Sequence, residues 1–268
     1  SEPGSGSDLA SLKCKAELDG DEYVINGQKT WTTLGQFADW IFVLVRTDDS
    51  GIKQTGITFI LVDMKTPGIE VKPIITLDGD HEVNEVWFDN VRVPKENVVG
   101  EVNQGWTYAK FLLTHERSSI AGAPQMRRAI NRLAKKAEKT FHGDNPLSED
   151  PTFKAKVAQF NLDLDALEMT ELRGLAAQRE GNPPGAESSL LKIKGTDLQQ
   201  RLSSLAVEIA GHDAMPYGGP YGFSDIEVAA AKDAQLSAPK YLNFRKVTIY
   251  GGTNEIQKNI IAKAILGL

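Results

Sequence analysis

The spacing of apolar residues changes near Trp106, and that change limits what the chain can fold into more than any single motif does. Before it, short apolar runs alternate with turn signals. "KCKAEL" and "YVINGQKTWTT" flank "DGDE", where Asp19-Gly20 forms a hairpin turn. "WIFVLV" (Trp40–Val45) and "GITFILV" (Gly56–Val62) are continuous apolar stretches of strand length on either side of a polar loop. "IEVKPII" and "EVNEVWFDNVRVP" follow, with Asp89-Asn90 read as a further turn and Pro94 as a strand end. Strands at this spacing with no helix between them predict an antiparallel sandwich or barrel rather than β-α-β units. The same absence removes a dinucleotide-binding reading of "GSGS", which needs a strand before it and a helix after it.

Beyond Trp106 the apolar residues fall at helical spacing. "TYAKFLLTHERSSIAGAPQMRRAINRLAKKAEKTF" is one long stretch of this kind, and Pro124 kinks it or marks a join. A second begins at Pro151, a residue suited to a first helical turn, and ends before "GNPPG". "ESSLLKIKGTDLQQRLSSLAVEIAG" and "TNEIQKNIIAKAILG" continue the pattern. Long helices with short connections predict an up-and-down, four-helix-type bundle. The expected fold class is therefore α+β, with a β-domain over 1–102 and a bundle over 103–268. "RLAKKAEK" reads as a solvated helix face.

Composition enters where it excludes partners. A formal charge of −6 over 268 residues argues against nucleic acid or an anionic membrane as the main partner, while local basic patches could still bind a phosphorylated ligand. The single cysteine, Cys14, cannot form an intrachain disulfide and reads as a small buried residue. No apolar run reaches the ~20 residues of a membrane span, and no signal peptide is visible, so a cytoplasmic location is expected, or the mitochondrial matrix in a eukaryote. No His, Cys, Asp or Glu cluster has metal-ligand spacing, and no serine-centred nucleophile elbow is present.

Four stretches could carry chemistry. "GSGSD" (Gly4–Asp8) is a flexible loop with a hydroxyl and a carboxylate. "TWTT" (Thr30–Thr33) places an aromatic ring two residues from a hydroxyl on one strand face. In "YGGTNEIQ" (Tyr250–Gln257), Thr253 is a candidate N-cap, and Gly251-Gly252 lets backbone amides approach an anionic ligand; a simple capped turn fits equally. "LTHERSSIAGAP" sets Glu116 and Arg117, beside His115, in an otherwise apolar helix, as an exposed patch, an ion pair or a site.

In this order the stretches resemble the acyl-CoA dehydrogenase family along essentially the whole chain. "SEPGSGSD" is similar to the family's T/S-E-P-x-x-G-S-D loop. "GDEYVINGQKTWTTLG" is similar to G-x-x-Y-x-I-N-G-x-K-x-W-I-T-x-G, and "FDNVRVPKENVVG" to F-x-x-V-x-V-P-x-x-N-x-x-G. "IYGGTNEIQKNIIAKAILGL" resembles the C-terminal signature. The opening residues are then a cofactor loop entered midway. The chain would hold the middle β-domain and C-terminal helical domain, and the family's N-terminal helical domain would be absent from it.

The resemblance implies FAD as cofactor, lying between β-domain and bundle. Trp31 would flank the isoalloxazine and Thr33 would hydrogen-bond near flavin N5. Backbone around Ser1, Gly6 and Ser7 would line the flavin, with Ser7 also near coenzyme A. Thr253 and Glu255 would meet the phosphates and adenosine half. "AVEIAG" resembles A-V-Q-I-x-G, which reaches FAD from a neighbouring subunit; Glu208 replaces the usual Gln, and Gly211 keeps its place. The phosphate-binding Arg before K-T-F is replaced by Glu138, a carboxylate that would repel a pyrophosphate.

Most members carry the catalytic base in I-Y-E-G-T, but Gly251 stands there in this chain. The isovaleryl-CoA dehydrogenase branch carries it on a helix in an L-E-R context, which "THERSSIAGAP" resembles. Glu116 is accordingly the expected base and Arg117 a substrate-site neighbour, with the Gly251 amide and a flavin ribityl hydroxyl polarising the thioester carbonyl. The implied substrate is an acyl-CoA, the implied electron acceptor an electron-transfer flavoprotein, and the implied assembly a homo- or hetero-dimer or tetramer. The alternatives are a non-catalytic partner subunit of a hetero-oligomeric acyl-CoA dehydrogenase, motivated by Gly251, Glu208 and Glu138, and a flavin oxidase or monooxygenase on the same fold.

Overall fold

Strand β1 (Lys15–Asp19) turns through Gly20 and Asp21 into β2 (Glu22–Thr33), the hairpin that Asp19-Gly20 predicts. The computed structural model describes residues 1–182, 185–214 and 236–268, leaving aside the side chains of 114–120, 142 and 187. The chain divides into two units: Ser1–Thr76 with Asp80–Leu112, and Leu77–Gly79 with Leu113–Leu268.

In the first unit, β3 (Trp40–Arg46), β4 (Ile57–Asp63), β5 (Ile69–Ile74) and β6 (Val83–Pro94) join β1 and β2 in a six-stranded sheet of order β4-β3-β1-β2-β6-β5. The ladders are antiparallel except for one parallel bridge, Lys15 to Arg46, where two hairpins meet through strands that are not consecutive. The sheet is thus mixed, where alternation alone suggests an all-antiparallel one. Ile25, Val43, Val45, Ile60, Val62, Val86 and Val91 are its buried face, each contributing about 1.5–3 kcal/mol through removal from water. Cys14 is buried among them, and burial pushes its thiol up to about 11, as expected of an inert core cysteine.

Asp89-Asn90 is not a turn. β6 runs through it without a break, and two of its residues, Asp89 and Asn90, stand opposite Asn26 alone. Asn90 takes the left-handed conformation (φ 51°), and its amide donates to Asn26 Oδ1 at 2.8 Å. Asparagine favours turns and bulges for the same reason, its tolerance of positive φ, so composition alone does not separate them.

The second unit is built on α2 (Ala123–Ala137), α3 (Pro151–Arg179) and α4 (Glu187–Ala210), preceded by α1 (Gly105–Ile120) and followed by the short α5 (Ser237–Asn243) and α6 (Asn254–Ile261). Each long helix turns one apolar stripe inward. These are Met126 and Ile130 on α2, Phe153, Phe160, Leu164 and Leu167 on α3, and Leu191, Leu198, Leu202, Leu205 and Ile209 on α4. Pro124 marks a join, with Gly122 left-handed between α1 and α2. Pro151 opens α3 behind Asp150, whose carboxylate caps the Phe153 amide. Gly195 lets α4 pack closely against the join between α1 and α2: a Cβ there would lie 2.7 Å from Ala121 Cα. Among the described residues, no helix is long and apolar enough to cross a membrane.

Candidate functional site

Three of the candidate residues on the β unit, Ser1, Trp31 and Thr33, lie at one distortion in β2. Between Lys29 and Thr32 the register against β6 slips, so that Thr30 and Trp31 together oppose Glu85. Trp31 sits at φ 63°, a conformation costing a bulky L-residue about 1–3 kcal/mol, and its indole is 59% exposed. Simple alternation would put Trp31 and Thr33 on one face of a regular strand; the bulge instead turns the ring outward on a backbone that neighbours must hold in place.

Those neighbours are identifiable. On one side, the Thr30 amide donates to the Ser1 carbonyl at 2.9 Å, joining the N-terminal loop to the bulge. On the other, the fully buried Asn84 donates to the Thr32 carbonyl (3.0 Å) and to Gln36 Oε1 (2.6 Å), and its Oδ1 pairs with His81 Nε2 (2.6 Å). Asn84→Ala would leave these groups without buried partners. It is expected to cost about 1–3 kcal/mol in urea unfolding, and to shift the emission of the exposed indole.

The loop itself is fastened by Glu2. Its carboxylate accepts the Lys13 and Cys14 amides (2.6 and 3.0 Å) and pairs with Lys29 Nζ at 2.7 Å, all largely buried. Glu2 and Ser5 close a tight turn with reciprocal backbone bonds of 3.1 and 3.0 Å. Gly6 and Ser7 follow on an exposed stretch, and a Cβ at Gly4 or Gly6 would meet open space. Ser1, Trp31 and Thr33 are thus brought to one strand end.

On the helical unit, Gly251 (φ 64°) and Gly252 (φ 78°) are both left-handed. Thr253 is the N-cap of α6, its hydroxyl accepting the Ile256 amide at 3.2 Å. The Glu255 carboxyl is held below the usual range by its own amide and then by the Thr253 hydroxyl, so it remains charged at the helix start. Glu208 is engaged elsewhere: both its oxygens accept from Lys156 Nζ, at 2.6 and 2.8 Å. Gly211 follows α4 at φ 57°. Glu138 lies in a groove between α2, α4 and α5 that also carries Arg132, Lys135, Lys139 and Lys240. The groove that holds this carboxylate, which sequence alone presents as repulsive to a phosphate, is therefore also lined by cations. Glu116 and Arg117 lie on α1; their side chains, with that of His115, are outside the described residues.

Reading the sequence missed the fastening groups, namely Glu2 with Lys29, the Asn84 cluster and the fully buried Lys192 of α4. Glu2 and Lys29 stand inside the two quoted motifs, which gives no sign that their charges meet. Lys192 had a readable signal. It is spaced three and four residues from Gly195 and Thr196, on the inward face of its helix.

Each unit by itself offers donors of a kind that FAD needs. The β unit carries an outward aromatic face and a hydroxyl suited to a planar ring, and the helical unit carries left-handed glycines before a capped helix, suited to an anionic group. Comparison with known proteins identifies the family. The family model described as the acyl-CoA dehydrogenase middle domain matches residues 1–91, and that of the C-terminal domain matches 103–266. An acyl-CoA dehydrogenase named IpdE1 from Mycobacterium tuberculosis is 37% identical over 270 residues, covering the whole chain and 65% of that protein. FadE34 of the same organism is 36% identical, with 34% of its length covered. A solved structure described as the Tcur3481-Tcur3483 steroid ACAD superposes with a TM-score of 0.87 at 30% identity, covering the whole chain and 66% of its own. The chain thus spans about two thirds of one of these curated relatives and about a third of the other. It belongs to the acyl-CoA dehydrogenase family, in its middle and C-terminal domains.

Proposed function

We propose that the protein to which this chain belongs removes two hydrogens from Cα and Cβ of an acyl-CoA thioester, with FAD as cofactor and Glu116 as the general base. The observation that carries the reading is the strained, outward-facing Trp31 bulge, tied to the N-terminal loop at Ser1 and to β6 at Asn84. A bulky residue at positive φ persists only where its surroundings over-determine it, and such residues cluster at active sites and ligand clamps; Trp31 differs from Asn90, whose side chain tolerates positive φ, in being bulky and turned outward.

Each residue then has a task. Trp31 offers its face to the planar ring, and Thr33 its hydroxyl to the ring edge. The amides of the loop from Ser1 through Gly6 to Ser7 line the same ligand, Ser7 lying toward the coenzyme A portion. Thr253 and Glu255 stand toward the phosphates and the adenosine half. The Gly251 amide donates to the thioester carbonyl, which makes the α-proton more acidic, and the Glu116 carboxylate accepts that proton while Arg117 steadies the substrate. FAD, when bound, would supply the acceptor for the β-hydride, and an electron-transfer flavoprotein would be the electron acceptor of the whole reaction.

A second reading has its own support. Gly251 carries no carboxylate, and Glu208 is occupied by Lys156, so a subunit that completes another chain's site fits these two positions. The solved relative named for two proteins, Tcur3481-Tcur3483, agrees with pairing of unlike chains. One experiment separates the readings. The purified full-length protein, free of other chains by mass, is mixed anaerobically with acyl-CoAs, and its flavin absorbance is followed. Bleaching is the expected result; a colourless or unreactive protein that gains activity only with a second chain supports the partner reading. Rapid oxygen consumption without an added acceptor would point instead to an oxidase.

A further inference from the structure

Lys192 is fully buried on α4, where a lysine is among the least expected residues. Its ammonium donates to the Thr248 carbonyl at 3.2 Å and to Asn254 Oδ1 at 2.9 Å. Among the described residues no carboxylate forms an ion pair with it. A buried ammonium held only by neutral acceptors opposes folding in a way that a methionine of similar shape would not. Burial pushes its pKa down to about 8, with Glu255 acting in the opposite sense. Packing alone gives no reason to keep a charge at this position.

Its two acceptors give one, because they bracket a single turn. Thr248 precedes Ile249, Tyr250, Gly251 and Gly252, and Asn254 is the first helical residue after Thr253. The Ile249 and Tyr250 amides donate to the Lys246 carbonyl at 2.9 and 3.3 Å and hold the entry, but two successive left-handed glycines can adopt many other conformations, so the turn beyond Tyr250 does not fix itself. What fixes it comes from beneath. Gln257 Nε2, fully buried, donates to the Gly252 carbonyl at 3.2 Å, and the Thr196 hydroxyl lies 3.4 Å from Asn254 Oδ1. Lys192 alone among these groups reaches both the entry and the exit of the turn.

We propose that Lys192 is a positioning residue whose ammonium spans the two ends of the 249–253 turn and holds the Gly251 amide in the one arrangement that the reaction uses. This rests on the reading of Gly251 as the donor to the thioester carbonyl. Lys192 touches no reacting group and acts only through the turn.

The test compares the full-length, flavin-loaded parent with Lys192→Met and with Asn254→Ala, by amide hydrogen exchange and by turnover of an acyl-CoA that bleaches the parent. In Lys192→Met the peptide spanning 249–253 is expected to exchange at least about tenfold faster, with peptides from α2 and α3 unchanged. Its kcat is expected to fall about tenfold while KM moves less than about twofold, the signature of an interaction used in the transition state. Unchanged exchange at the turn overturns the proposal. So does an equal acceleration across α2 and α3, which marks a general structural role, and so does a loosened turn with parental kcat. Should Lys192→Met not fold, Asn254→Ala keeps the ammonium and removes one tie; faster exchange at 249–253 supports the proposal and parental exchange overturns it. If no acyl-CoA bleaches the parent, the reading of Gly251 fails on its own, and the exchange result alone decides whether Lys192 holds the turn.

Discussion

Glu116→Gln in the full-length, flavin-loaded protein is expected to slow flavin bleaching by acyl-CoA about 10³-fold, measured by anaerobic stopped-flow absorbance, with the flavin still bound. Glutamine matches the shape of glutamate and can still hydrogen-bond, but it cannot accept the α-proton. The effect follows from a scarcity of candidates. The turn that precedes α6 holds Gly251, which has no side chain, and the nearest acid after it, Glu255, stands in the first turn of α6 with a carboxyl held in the charged, weakly basic form. On α1, Glu116 has Arg117 beside it and apolar residues such as Phe111 and Leu112 one turn earlier. A companion variant, Glu255→Gln, should leave the bleaching rate per bound flavin within about threefold of the parent, even if flavin occupancy falls, because a base that is already stabilised as an anion has little driving force to take a proton. Bleaching at the parental rate in Glu116→Gln would remove Glu116 from the reaction, and the partner-subunit reading would then be the stronger one.

The strands and long helices were legible because their signals are local. Continuous apolar runs fixed β3 and β4, and Pro124, Pro151 and Thr253 marked helix starts by removing or capping backbone donors within a turn of themselves. The motifs also placed Trp31 and Thr33 on a strand and Gly251 before a helix. What escaped is non-local. Asp89-Asn90 has the composition of a turn, yet its partner is Asn26, reached across the sheet. The same holds for the bulge at Trp31: nothing in "KTWTT" foretells a left-handed tryptophan, since the residues that compensate its strain, Ser1 and Asn84, come from opposite ends of the β unit. Glu208 shows the converse. Its departure from the family's Gln was visible in sequence, but its engagement by Lys156, 52 residues earlier, was not.

The largest stability effect is expected at Lys29. Removing one partner of a buried ion pair typically costs about 3–5 kcal/mol, because the other charge is left in a poor solvent. Lys29→Met strands the Glu2 carboxylate and also removes a donor to the Leu44 carbonyl at 2.6 Å. All four tryptophans lie in the β unit, so urea unfolding followed by tryptophan emission reads this unit directly. The pH dependence gives an independent check. Burial raises the Glu2 carboxyl pKa, but the Lys29 ammonium together with the Lys13 and Cys14 amides outweighs it, and the folded value lies below the usual 4.5. The unfolded chain therefore binds the proton first, so the pair's contribution is complete above about pH 4.5 and is lost as pH falls through the folded value. The gap between parent and Lys29→Met should be widest at neutral pH and shrink in acid. A gap that stays constant down to pH 3 would mean that packing of the lysine stem, not its charge, holds the N-terminal loop against β2. Glu2→Gln with Lys29→Met should recover part of the loss, since no buried charge then remains unpaired. In both single variants the tie between Ser1 and Thr30 loses its anchor, so weaker flavin retention should accompany the lower stability and return in part with the double variant.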